Sequence, residues 1–140
     1  KMPISTLGAF SCREIEMGNR SVCVLLVDDD DTVLDVGMMM LERMGYQVLG
    51  AKNSSEAIDV YRANRGGIDL VLLDYNLSGE SGADTFKKLR EIDPNARVVL
   101  STGTCENQEI RDIMRHGCRG MIQKPFGLDA LAEKIHLALN

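Results

Sequence analysis

No apolar run in the chain approaches the eighteen or so residues of a membrane span, so no membrane contact is expected. The amino-terminal stretch lacks a seven-residue apolar core, so no signal peptide is expected either. A basic excess is also missing. Lys and Arg total 16 against 21 Asp and Glu, a net charge of −5. That balance argues against direct binding to nucleic acid, which needs a basic face. The four cysteines, Cys12, Cys23, Cys105 and Cys118, contain no C-x-x-C pair. Without a secretion signal they read as reduced thiols in a cytoplasmic protein. His116 and His136 have no ligand spacing to any cysteine, which removes a zinc site. His116, just before Gly117, reads as a helix C-terminus, and His136 as a helix surface.

What is present fits one domain. The chain has 140 residues, 44% of them hydrophobic and 26% charged, ordinary values for a globular protein with a sizeable core. Residues 1–20 carry Pro3, Gly8 and Gly18 with no sustained period and read as linker or tail. The start at Lys1 is compatible with a cut or engineered end. From 21 to 140 the chain alternates. Strand signals fall at 22–27, 46–51, 68–73, 96–101 and 119–123, with helical patterns at about 31–44, 55–64, 81–92, 106–116 and 127–138. Leu128, Leu131, Ala132, Ile135 and Leu139 form the clearest helical stripe. Gly45, Gly66 and Gly117 stand just past helix ends, and Asn53 with Glu56 predicts a capping box. Alternating strand–helix units predict an α/β fold: a doubly wound, five-stranded parallel sheet with helices on both faces. In the flavodoxin-like order 2-1-3-4-5, strands 1 and 3 flank the point where the winding reverses, and ligands bind there.

Two of the strands end in acid. Val22–Val27 runs into Asp28, Asp29, Asp30 and Asp31, and Ile68–Leu73 runs into Asp74, Tyr75 and Asn76. Carboxylates crowded at one sheet edge repel one another and raise each other's pKa unless a cation lies between them. Hard oxygen ligands make Mg²⁺ the economical cation. Solvation or helix capping is an equal reading for Asp30 and Asp31. Strand 4 brings Ser101, Thr102 and Gly103 to the same edge, and strand 5 brings Lys124, Pro125 and Phe126. Carboxylates, a hydroxyl and a lysine together suit phosphoryl transfer to an aspartate, because the cations neutralise the phosphoryl oxygens. The Lys124–Pro125 bond is compatible with a cis peptide, which only proline makes accessible.

With Asp28–Asp29, Asp74, Thr102 and Lys124 in order, residues 22 to 139 resemble a bacterial response-regulator receiver domain of two-component signalling. The resemblance implies Asp74 as phosphoacceptor, Asp29 as direct Mg²⁺ ligand and Asp28 as the acid acting mainly through water. It implies the backbone carbonyl of Asn76 as a further metal ligand, Thr102 as the switch hydroxyl and Lys124 as the cation on the phosphoryl group. It implies a phosphohistidine partner, either a histidine kinase or a histidine phosphotransfer domain, met through the first helix, and it leaves room for a homodimer. The consecutive Met38, Met39 and Met40 span about 200° of that helix, more than one apolar stripe, so at least one is expected to face solvent.

Three departures stand out. Ser78 replaces the family's usual proline and is expected to loosen the loop after the acceptor. Met121 stands where the family has an aromatic, and its flexible thioether can occupy the same groove. Asp31, often proline, is expected to N-cap the first helix. Since the chain ends at Asn140, no DNA-binding domain is expected to follow. The 20-residue lead suits a hybrid sensor kinase's receiver module or a stand-alone regulator with a tail.

Rival readings exist. Val27–Thr32 matches hhDxDxT, the nucleophile motif of haloacid-dehalogenase-like Mg²⁺-dependent phosphatases, with Asp28 as nucleophile and Asp30 as acid/base. Against it, the only acids after Lys124 are Asp129 and Glu133 on the last helix, and Asp74 would have no task. A receiver-like interaction module that takes no phosphate is another alternative. A flavin site is opposed by the four aspartates after strand 1 and by the absence of a Gly/Ser/Thr-rich phosphate loop.

Overall fold

A computed structural model describes residues 21–103 and 107–140. The linker expectation for 1–20 and the residues Cys12 and Cys105 lie outside them. The elements are β1 (Cys23–Val27), α1 (Asp31–Arg43), β2 (Gln47–Ala51), α2 (Ser54–Ala63), β3 (Leu70–Asp74), β4 (Asn76–Leu77), β5 (Glu80–Ser81), α3 (Gly82–Ile92), β6 (Val98–Thr102), α4 (Gln108–Arg115), β7 (Gly120–Gln123) and α5 (Leu128–Leu139). The long strands form one parallel sheet, order β2-β1-β3-β6-β7, which is the expected 2-1-3-4-5. The β4–β5 hairpin, only two residues per strand, was not expected.

The central strands are apolar up to their carboxyl ends, where Asp74, Ser101 and Thr102 stand, because both faces of the sheet are covered. Strand alternation divides their side chains. Leu25, Val27, Val71, Leu73, Val98 and Leu100 pack with Ala57, Ile58 and Tyr61 of α2, Phe86 and Leu89 of α3, and Ile110 and Ile113 of α4. Val24, Leu26, Leu70, Leu72, Val99 and Ile122 pack with Leu34 and Leu41 of α1 and Leu131 and Ile135 of α5. Truncating any fully buried leucine here to Ala should cost about 2–5 kcal/mol. Among the described residues, no helix is long and apolar enough to cross a membrane.

Helix ends follow local chemistry. Asp30, not Asp31, caps α1, accepting from the Thr32 and Val33 amides at 2.9 and 3.1 Å. Asp31 starts the helix and instead pairs with Lys52 at 2.9 Å on the surface. The shift follows from geometry, since the capping oxygen must reach amides two and three residues ahead. Asn53 caps α2 as expected, but Glu56 returns its carboxylate to the Lys52 amide rather than to Asn53. Gly45 and Gly117 take φ of 94° and 102° after α1 and α4. His116 is the C-cap of α4, and His136 is exposed on α5.

Candidate functional site

Sheet register brings the acids together. Val27 pairs with Leu73, so Asp28 emerges level with Asp74. Asp74 pairs in turn with Ser101, and Thr102 pairs with Gln123, the residue before Lys124. Four strands thus deliver their last residues to one edge. Asp28 is 2% exposed and Asp74 4%, while Asp29 is half-buried. One carboxylate oxygen from each of the three lies within 4.8 Å of the others. Buried ionised groups need partners, and these have them. Lys124 Nζ, on a side chain reaching back from beyond β7, lies 2.7 Å from Asp28 Oδ2 and 3.1 Å from Asp74 Oδ2. The Asp30 and Asn76 amides donate to Asp28 Oδ1 and Asp74 Oδ1 at 3.0 and 3.1 Å.

The electrostatics follow from this geometry. Burial pushes the Asp74 carboxyl above the usual range, and the bonds from Lys124 and Asn76 only partly offset it. Burial pulls the Lys124 ammonium down, but bonds to Asp28 and Asp74 outweigh that and leave it raised. A bond from Ser78 holds the Asp29 carboxyl below its ordinary value.

The five singled-out residues Asp28, Asp29, Asp74, Thr102 and Lys124 all stand at this edge of the sheet, as does Asn76 at the start of β4. Thr102 is fully buried, and its carbonyl accepts from the Lys124 amide at 2.8 Å. The Lys124–Pro125 bond is cis. Met121 is half-buried against the α2–α4 side of the core. Three hard carboxylate oxygens in one small cluster are a donor set that fits a divalent cation such as Mg²⁺.

Two contacts escaped the sequence. Ser78, expected to loosen its loop, instead donates both its amide, at 3.0 Å, and its hydroxyl to Asp29 Oδ2. Its replacement of a proline was the available signal, since proline can make neither bond. The Tyr75 hydroxyl bonds Glu109 at the start of α4, and the Asn107 amide group donates to Tyr75 Oη at 3.4 Å. The backbone of Tyr75 is clamped as well, by Ser101 of β6 at 2.8 Å and by Gly82 of α3 at 2.7 Å. A side chain at 82 would meet Tyr75 Cα at 2.7 Å, so only glycine fits there. No sequence pattern pairs Tyr75 with a residue so distant.

Comparison with known proteins identifies the family. The family model of the response regulator receiver domain matches residues 24–136. The chain is 31% identical over 123 residues to the two-component response regulator ARR22 of Arabidopsis thaliana, covering 87% of each. It is 29% identical over 126 residues to the autoinducer 1 sensor kinase/phosphatase LuxN of Vibrio campbellii, covering 90% of this chain but only 14% of that protein. A solved receiver-domain protein from Clostridium thermocellum superposes with a TM-score of 0.80 at 28% identity, covering 85% of this chain and 94% of that one. With its register-built acidic pocket, its lysine bridge and these matches, the chain belongs to the response-regulator receiver domains of two-component signalling.

Proposed function

We propose that residues 21–140 form a phosphoacceptor domain that takes a phosphoryl group from a phosphohistidine donor onto Asp74. The observation that carries this reading is the Lys124 ammonium, held between Asp28 and Asp74 at the sheet edge. In the reaction an Asp74 carboxylate oxygen attacks phosphorus, and the bond from phosphorus to the donor imidazole nitrogen breaks. Asp28, Asp29, Asp74 and the Asn76 carbonyl would hold Mg²⁺, which when bound neutralises charge on the phosphoryl oxygens. Lys124 neutralises the remainder from the other side. The Thr102 hydroxyl donates to a phosphoryl oxygen and so reports the modification to its surroundings. The domain is a signalling switch rather than an enzyme acting on outside substrates, and it catalyses only its own phosphotransfer and dephosphorylation.

The donor docks on α1. This helix begins at Asp31, two residues past Asp29, so a donor reaching Asp74 covers its first turns. Val33, Val36 and Met39 are exposed there, the last at 57%, while Met38 and Met40 turn toward the core. Adaptable methionine and valine surface suits helix–helix docking. A phosphorylated histidine phosphotransfer domain should pass its label to the wild-type chain and not to Asp74→Asn. Label arriving equally on the variant would refute the reading.

A further inference from the structure

Ser78 sits at the tip of the β4–β5 hairpin, where Asn76 pairs with Ser81 and Leu77 with Glu80. Leu77 is buried and anchors the hairpin in the core, and Gly79 closes the tip with φ of 77°. The hairpin touches the acidic cluster twice. At its base, the Asn76 amide donates to Asp74 Oδ1 at 3.1 Å. At its tip, Ser78 gives both amide and hydroxyl to Asp29 Oδ2, the amide at 3.0 Å. A ring therefore closes from Asp74 through the hairpin to Asp29. Both Ser78 bonds fall on one oxygen of Asp29, so the carboxylate's orientation is set from a single side. Asp29 is the most exposed acid of the three, and Lys124 makes no hydrogen bond to it, only to Asp28 and Asp74. Beside the bond from the Asp29 amide itself, Ser78 supplies the tie from another segment that orients this carboxylate.

We propose that Ser78 is a positioning residue for the divalent cation: it holds Asp29 in ligating orientation and locks the Asn76 segment against the same cluster. This rests on the reading of Asp28, Asp29 and Asp74 as a Mg²⁺ site. Outer partners of this kind fix ligand geometry and commonly change metal affinity by about 10–100-fold when removed. Ser78→Ala keeps the amide bond and loses the hydroxyl bond, and Ser78→Pro loses both. Ser78→Thr keeps both.

The test is calorimetric titration of each variant of the 140-residue chain with MgCl₂, paired with acetyl phosphate labelling across a Mg²⁺ series. Ser78→Ala should raise the Mg²⁺ Kd about tenfold, Ser78→Pro should raise it further, and Ser78→Thr should match wild type. At saturating Mg²⁺ the labelling rate of Ser78→Ala should return to the wild-type value, because Ser78 does not touch Asp74. An unchanged or lower Kd in Ser78→Ala overturns the proposal while leaving the metal site intact. So does Ser78→Thr behaving like Ser78→Ala, or a labelling rate that stays depressed at saturation. If wild type itself shows no Mg²⁺ binding, the metal site falls, and this proposal with it.

Discussion

Lys124 stands closer to Asp28 than to Asp74, 2.7 Å against 3.1 Å, although it is expected to serve the phosphoryl group on Asp74. One ammonium offsets two buried carboxylates, so its loss leaves like charges facing each other. Lys124→Ala should destabilise the fold by about 3 kcal/mol in urea melts without Mg²⁺, the lower end for breaking a buried pair, because the Lys124 side chain is partly exposed. Saturating Mg²⁺ should recover part of that loss. The same variant should label far more slowly with acetyl phosphate. Labelling at the wild-type rate would remove Lys124 from the chemistry.

Mg²⁺ should stabilise the protein through Asp28, Asp29 and Asp74. At a hundredfold excess over Kd the gain should be about 2.7 kcal/mol. Asp29→Ala should abolish most of the accompanying rise in Tm. A variant that still gains as much as wild type would mean that the ligand set is wrong.

Met39 is the exposed member of the methionine run. Met39→Gln should change stability by no more than about 0.5 kcal/mol. It should slow transfer from the cognate phosphohistidine donor and leave acetyl phosphate labelling unchanged. Equal transfer rates for Met39→Gln and wild type would move the docking surface elsewhere.

Much of this arrangement was legible beforehand, and the reason is periodicity. Continuous apolar strands ending in Asp28 and Asp74 mark a parallel sheet and its functional edge. Helices α2 and α5 announced themselves by a cap and a stripe. The hidden part depends on contacts between distant segments. Nothing local shows that Ser78 reaches Asp29, 49 residues away, or that Tyr75 reaches Glu109, 34 residues away. The cap of α1 was misplaced by one residue because four consecutive aspartates offer the same side chain at every step.

Tyr61 is buried, and its hydroxyl donates to Asp93 at 2.8 Å, tying α2 to the end of α3. Burial first, then the bond to Asp93, raises the phenol above its ordinary value of 10.0. The folded state holds that proton more tightly than the unfolded chain. Its stabilisation is therefore complete below about pH 10 and is lost as pH climbs beyond that. Tyr61→Phe should cost about 1 kcal/mol at neutral pH. In denaturant melts the gap between the two proteins should narrow above pH 10. A gap independent of pH would contradict the assignment.

The most direct test of the whole account is intact-mass spectrometry after treatment with acetyl phosphate and Mg²⁺. Wild type should gain one phosphoryl group, peptide mapping should place it on Asp74, and Asp74→Asn should gain none. The same mass gain in Asp74→Asn, or a label mapped to Asp28, would contradict it.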